Sequence, residues 1–148
     1  MAATDALAVT LYVDGAAKGN PGPAGIGVLV ETDGVVIQET SDYIGKATNN
    51  TAEYRALIRG LQMASELGAV AVSVVSDSEL MVRQLTGVYR VKTASLVPLY
   101  NQARELSSAF DRFDIRHVRR EENKDADRLA NEGIRRAGMA RGPDGRAH

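Results

Sequence analysis

Residues Leu7 to Gly15 read Leu-Ala-Val-Thr-Leu-Tyr-Val-Asp-Gly, an alternating run. Leu7, Val9, Leu11 and Val13 fall on one face at period two, with Ala8, Thr10, Tyr12 and Asp14 on the other. Both faces are fairly apolar, so the run reads as a central β-strand covered on both sides. It closes on an acid followed at once by glycine. A carboxylate taken into a protein interior is costly unless a cation or a donor compensates it. Asp-Gly is also a common turn pair. Asp14 therefore either opens a turn or belongs to a site that other segments complete.

A chain of 148 residues has the length of one domain and can bury a real core. Its 44% apolar and 25% charged residues are ordinary for a soluble globular protein. The absence of cysteine excludes a disulfide framework, a thiolate metal site and a cysteine nucleophile. No run is long enough to cross a membrane and no charged-then-apolar leader opens the chain, so an intracellular, cytoplasmic protein is expected. A net charge of −1 gives no global attraction to nucleic acid, and any such binding must come from local patches. Eight of the 18 basic residues lie between Arg112 and Arg136, interleaved with acids. Solvated helix faces share that pattern.

Gly15 to Pro23 is dense in glycine and proline and reads as a tight turn. Ala24–Val30 follows as a glycine-dotted strand, Asp33-Gly34 as a hairpin turn and Val35–Tyr43 as a third strand, together an antiparallel meander. From Thr51 the period changes. Ala52, Ala56, Leu57, Gly60, Leu61 and Ala64 recur at helical spacing, with Thr48-Asn49-Asn50 as N-cap candidates, Glu53 in the first turn and Gly68 closing the helix. Val70–Val75 is a β-branched fourth strand, and helix followed by strand implies a crossover to parallel pairing. It too runs into an acid, at Ser76-Asp77-Ser78. Helices are expected from about Ser78 to Leu85 and from Leu96 to Ser108, joined through the polar connector Tyr89-Arg90-Val91-Lys92. Phe113–Val118 alternates as a fifth strand. Asn123 caps a last helix that carries Ala126, Leu129, Ala130 and Ile134, with Asp127 about one turn in. One domain is expected over residues 1–137, with 138–148 a frayed tail.

Asp14 and Asp77 thus stand at the ends of strands, and Glu53 and Asp127 near the starts of helices. Ligands bind at the carboxyl edge of such sheets. Four acids there, with no cysteine and no histidine cluster, form an oxygen-only site suited to a hard divalent cation, Mg²⁺ above all. Two such ions about 3.5–4 Å apart would stabilise the attacking and leaving oxygens of a phosphodiester displacement. Each acid also has a local reading: Glu53 as a helix-dipole acid, Asp77 as an N-cap, Asp127 as the partner of Arg128 or Arg120.

Tyr12-Val13-Asp14-Gly15 followed by Gly19-Asn20-Pro21-Gly22-Pro23-Ala24-Gly25 resembles the opening signature of type 1 ribonucleases H. Thr48-Asn49-Asn50-Thr51-Ala52-Glu53, Ser76-Asp77-Ser78 and Asn123-Lys124-Asp125-Ala126-Asp127-Arg128-Leu129-Ala130 resemble that family's remaining motifs, in order, across about Leu7 to Ala137. The resemblance implies an α/β fold, a five-stranded mixed sheet of order 3-2-1-4-5 flanked by helices. It implies hydrolysis of the RNA strand of an RNA/DNA hybrid with two Mg²⁺ or Mn²⁺ ions held by Asp14, Glu53, Asp77 and Asp127. One ion would activate water and the other steady the departing 3′ oxygen, leaving 5′-phosphate and 3′-hydroxyl ends. Glu53 would also sense the 2′-hydroxyl beside the scissile phosphate. Asn20, Asn49 and Asn50 are short amides able to reach 2′-hydroxyls or base edges, and Thr48 could hold a DNA phosphate at a helix start; capping and turn formation is the other reading of Thr48-Asn49-Asn50. Ser78 joins these as a substrate contact. The loop before the last helix is too short to carry the catalytic histidine of other members, and the long basic protrusion is absent, as in a subgroup of archaeal and bacterial enzymes. His117 lies in the strand pattern and is not counted as catalytic. Arg119 or Arg120 would contact a phosphate in the histidine's stead, and Tyr89, Arg90 and Lys92 would contact the DNA strand, with weaker hybrid affinity and a steep salt dependence. The expected partner is the hybrid duplex, with double-stranded RNA, DNA strand transfer and a non-catalytic hybrid-binding module as rivals. No membrane, no organic cofactor and a monomer are expected, and the chain could be a domain of a larger polypeptide.

Overall fold

The computed structural model describes residues 6–140. Five strands, β1 (Leu7–Ala17), β2 (Gly22–Thr32), β3 (Val35–Ala47), β4 (Ala69–Ser76) and β5 (Arg112–His117), form one mixed sheet of order β3-β2-β1-β4-β5. The first three make an antiparallel meander, while β4 and β5 run parallel to β1. The hairpin between β2 and β3 turns on Asp33 and Gly34, both at positive φ (52° and 77°). That pair of values suits the right-handed twist of the flanking strands.

Helices α1 (Asn49–Glu66), α2 (Glu79–Leu85) and α3 (Val97–Ser108) cover one face, and α4 (Lys124–Ala140) covers the other. The core between the sheet and the first group is built on Val9, Leu11, Val13, Val28, Leu57 and Leu61, which are almost wholly buried. Each such side chain contributes about 1.5–3 kcal/mol relative to exposure. Tyr54 is buried in the same layer and donates its hydroxyl proton to Gln84 Oε1 at 2.6 Å, tying α1 to α2. No helix of the described residues is long and apolar enough to cross a membrane.

On the far face the approach is closer. A methyl group at Gly27 would lie 2.3 Å from the Ala126 carbonyl oxygen, and one at Gly25 2.3 Å from that of Ala130. The glycines that dot β2 let α4 rest directly on the strand, which sets how near the start of that helix comes to β1.

Several boundaries differ from the sequence reading. β1 continues through Ala17 and β2 begins at Gly22, so the expected turn of residues 15–23 shrinks to its middle. Gly15, Ala16 and Ala17 have little strand preference of their own, but each pairs with β2, at Ile26, Gly25 and Ala24. β3 runs four residues past Tyr43, and α1 starts at Asn49 rather than Thr51. α4 extends to Ala140, through the first three residues of the expected tail, and the rest of that tail lies outside the described residues.

Candidate active site

Asp14 lies inside β1 rather than at its end, because β2 keeps the strand paired for three residues more. Toward β4 the sheet does stop there: the last pair is Val13 with Ser76, and Asp77 is the first residue past β4. Parallel neighbours that end together place two acids side by side. The turn carrying Asp77 is held from both sides. The Ser78 N–H donates to Ser76 Oγ at 3.0 Å, and Ser78 Oγ accepts the Met81 N–H at 3.3 Å as the N-cap of α2.

Glu53 arrives from the other layer. Because α1 begins two residues earlier than expected, Glu53 sits in its second turn, and no acid occupies the first. Its Oε1 accepts the Gly15 N–H at 3.0 Å. That contact exists because Gly15 has no side chain: a Cβ there would stand 2.2 Å from the Ala52 carbonyl carbon and 2.4 Å from the Glu53 nitrogen. Asp14, Glu53 and Asp77 each bring one carboxylate oxygen into a group whose members lie within 4.8 Å of one another.

Asp127 stands beside this trio rather than within it. Its Oδ1 is 3.6 Å from the Arg120 guanidinium and 3.3 Å from Asn131 Nδ2, which also donates to the Asp127 carbonyl at 2.9 Å. The pairing with Arg120 is the local reading that the sequence offered for this acid. Asp127 still acts on its neighbours, helping to raise the pKa of both Asp14 and Glu53.

The electrostatics follow from crowding. Asp14 is only 4% exposed. Burial pushes its carboxyl far above the usual carboxylate range, and the negative charges of Glu53 and Asp77 push it further. Burial also raises Glu53, with Asp77 adding to the shift, while the Gly15 N–H and Arg120 partly offset it. Carboxylates this close cannot all ionise without help. They must hold protons or share cations. The cleft over them, about 460 Å³, is also lined by Lys18, Asn49, Arg120 and Asn131. Of these, Lys18 and Asn131 were not singled out from the sequence; the spacing of Asn131 four residues after Asp127 was a usable signal.

The expected substrate contacts divide. Asn20 and Asn49 use their oxygens internally: Asn20 Oδ1 accepts the Asn49 N–H at 3.0 Å, and Asn49 Oδ1 accepts the Ala17 N–H at 3.1 Å. These bonds brace the β1–β2 turn against the start of α1. Thr48 is the α1 N-cap, its hydroxyl accepting the Thr51 N–H at 3.1 Å, so capping is what that side chain does here. Ser78 is likewise a cap. Asn50 is exposed on the first turn of α1. Arg90 and Lys92 are exposed on the segment between α2 and α3 and do not line the cleft. Arg119 is exposed beside Arg120, and only Arg120 faces the acids. His117 is the exposed last residue of β5, in register with Ser76.

A mixed sheet of this order, with carboxylates from β1, α1 and the turn after β4 converging where the β1–β4 pairing stops, defines a ribonuclease H-like α/β protein with an acidic centre. The reverse transcriptase-like family model matches residues 12–133. A bifunctional protein of Mycobacterium tuberculosis is 44% identical over 93% of this chain, which covers 38% of that relative. Ribonuclease HI of Halobacterium salinarum is 46% identical over 85% of this chain and 64% of its own length. The solved structure of LC11-RNase H1 in complex with an RNA/DNA hybrid superposes with a TM-score of 0.83 at 42% identity, covering 87% of this chain and 98% of that one. The chain belongs to the ribonuclease H family, and it spans less than two thirds of the length of the two relatives just described.

Proposed function

We propose that this chain is an endoribonuclease that hydrolyses the RNA strand of RNA/DNA hybrids with the help of two divalent cations, Mg²⁺ or Mn²⁺, leaving 5′-phosphate and 3′-hydroxyl ends. The observation that carries the reading is the gathering of Asp14, Glu53 and Asp77 oxygens within 4.8 Å. The donor set fits a hard cation: every ligand atom is a carboxylate oxygen, two of the acids are held above their ordinary pKa by burial and by neighbouring carboxylates, and the chain has no cysteine. Asp14, Glu53 and Asp77 would hold the ions, with Asp127 as the fourth carboxylate. Bound there, the ions would supply Lewis-acid stabilisation of charge on the attacking and leaving oxygens and lower the pKa of water.

The chain's own residues supply the rest. Gly15 fixes the Glu53 carboxylate through its N–H, so Glu53 is oriented before substrate arrives. The oxygens of Asn20 and Asn49 are spent inside the protein, which leaves their NH₂ groups to donate to 2′-hydroxyl or base acceptors along a shallow groove. The N-terminus of α1, capped by Thr48, offers backbone N–H groups to a phosphate. Arg120, now against Asp127, and Lys18 are the cations lining the cleft that can turn to the substrate backbone. Arg119, Arg90 and Lys92 contribute charge at longer range, in the manner of the family members that lack the loop histidine and the basic protrusion.

Incubation of a labelled RNA/DNA duplex with Mg²⁺ or Mn²⁺ tests this directly, with double-stranded RNA and DNA duplexes as competitors. Internal cuts in the hybrid's RNA strand, abolished by chelator, are expected. No RNA cleavage with either metal would sink the proposal.

A further inference from the structure

Asn123 immediately precedes α4 and is 2% exposed. Its backbone carbonyl accepts the Asp127 N–H at 3.1 Å, which makes it the N-cap residue of the helix. An asparagine in that place ordinarily turns its side-chain oxygen onto an N–H of the first turn. This one does not. Its Nδ2 donates instead to the carbonyl of Val13 in β1, 110 residues away, at 2.9 Å. Its Oδ1 is left buried with no partner, the one buried side-chain nitrogen or oxygen among the described residues in that condition. An unsatisfied buried polar atom is rare enough to require a reason. Helix capping is not the reason, because the side chain has forgone it.

The bond to Val13 does something a cap could not. Val13 adjoins Asp14 in the chain, and Asn123 is bonded through its carbonyl to the N–H of Asp127. Two hydrogen bonds therefore run from the backbone beside one acid to the backbone of the other, across two elements that otherwise meet through packing. Gly25 and Gly27 set how close α4 lies to the sheet. Farther along, α4 is bonded to β3, where the Ser41 hydroxyl donates to the Leu129 carbonyl and Arg136 donates to the Ser41 carbonyl, and the Asn123 bond is the one that fixes the start of the helix against β1.

We propose that Asn123 is a positioning residue: its amide pins the start of α4 to β1 so that the Asp127 carboxylate is held in register with Asp14 at the cation site. The inference rests on the hybrid-cleaving reading above, and it adds a residue that touches neither substrate nor ion.

The test uses the whole chain and two variants. Asn123→Ser keeps a hydroxyl able to cap α4 but too short to reach Val13, and Asn123→Ala keeps neither function. Thermal midpoints are measured by circular dichroism, Mn²⁺ affinity by calorimetry without substrate, and kcat and KM on a hybrid duplex, all at a temperature where each protein is folded. The serine variant should melt close to or above the parent, and the alanine variant below it. Both should lose Mn²⁺ affinity and kcat to a similar degree, on the order of tenfold or more, as outer residues at metal sites do, with KM for the hybrid changed less than twofold. A loss that follows the melting temperatures, or serine-variant values equal to the parent's, would overturn the positioning role. A parent that binds Mn²⁺ but cuts no hybrid would overturn the nuclease reading alone, and the calorimetry would still judge Asn123. A parent that binds no Mn²⁺ overturns both.

Discussion

Replacing Gly15 by alanine adds a single methyl group at the point where β1 and α1 meet. That methyl carbon would stand 2.2 Å from the Ala52 carbonyl carbon and 2.4 Å from both the Ala52 oxygen and the Glu53 nitrogen, where ordinary contact begins near 3.4 Å. All three obstacles are backbone, so no rotamer change relieves them. The first turns of α1 must retreat by about 1 Å, and Glu53 retreats with them. Forced overpacking of this kind costs about 1–3 kcal/mol, which in a chain of this size lowers the melting temperature by roughly 4–12 °C. The 3.0 Å bond from the Gly15 N–H to Glu53 Oε1 lengthens or breaks at the same time. A 1 Å misplacement of a reacting group can cost about a hundredfold in rate. The expected result is therefore a folded protein with kcat on a hybrid duplex reduced by about two orders of magnitude, well beyond what its melting curve explains. Gly138→Ala in α4 serves as the control, because its methyl group meets nothing within 4 Å and alanine favours a helix. A Gly15→Ala protein with parental kcat and Mn²⁺ affinity would refute the claim that this contact sets the position of Glu53.

Asp77→Asn removes one of the charges that raise the pKa of Asp14 and Glu53. Hybrid cleavage should vanish while the melting temperature of the metal-free protein rises, since relief equal to one pKa unit is worth about 1.4 kcal/mol; an active variant, or one less stable than the parent, contradicts this. The same shifts dictate a pH dependence. Asp14 and Glu53 titrate above their unfolded values, so the folded state holds more protons from about pH 4 upward, and metal-free stability falls as pH rises through the elevated pKa values. Melting curves from pH 4 to 9 should show that decline, and a rise with pH over the range would be incompatible with it. Divalent cation should reverse the decline, by about 2.7 kcal/mol at one hundred times its dissociation constant. Binding should also release protons, measured by calorimetry in buffers of different ionisation enthalpy; heats that do not depend on the buffer would show that the acids are already ionised.

The parts of this molecule that are encoded locally could be read from the sequence. The alternation of Leu7 to Val13, the Asp33-Gly34 turn and the helical stripe through Ala56, Leu57, Gly60 and Leu61 each depend on neighbours a few residues away. The parts imposed by distant partners could not. Gly15, Ala16 and Ala17 are strand residues only because β2 pairs with them. Asn49, one of three adjacent cap candidates, lies inside the helix and is held there by bonds to Asn20 and Ala17, about thirty residues away. The four acids were recognisable as a set, yet the tight group of three, and the pairing of Asp127 with Arg120, depend on side-chain geometry that no spacing encodes. The same limit applied to the polar residues. Asn20, Thr48 and Ser78 carry groups that can bond a substrate or the protein itself, and in each the oxygen bonds the protein.

Three departures from the rules that govern the rest of the fold meet within this one region. A glycine, a residue with little strand preference, sits in a central strand, several carboxylates crowd together where burial penalises their charge, and a helix-capping asparagine leaves its cap unmade. Each lowers stability, and none is required by the sheet, whose interior otherwise follows alternation and close packing. An acid retained for structure would be expected to collect donors of its own. Asp14 instead faces other acids. Local rules that fail together at one place mark a functional constraint more reliably than any single motif does. Here the constraint is one of position: Gly15 admits Glu53, Ser76 and Ser78 present Asp77, and Asn123 ties down the helix that carries Asp127, so that negative charge is held ready for cations that the protein does not itself supply.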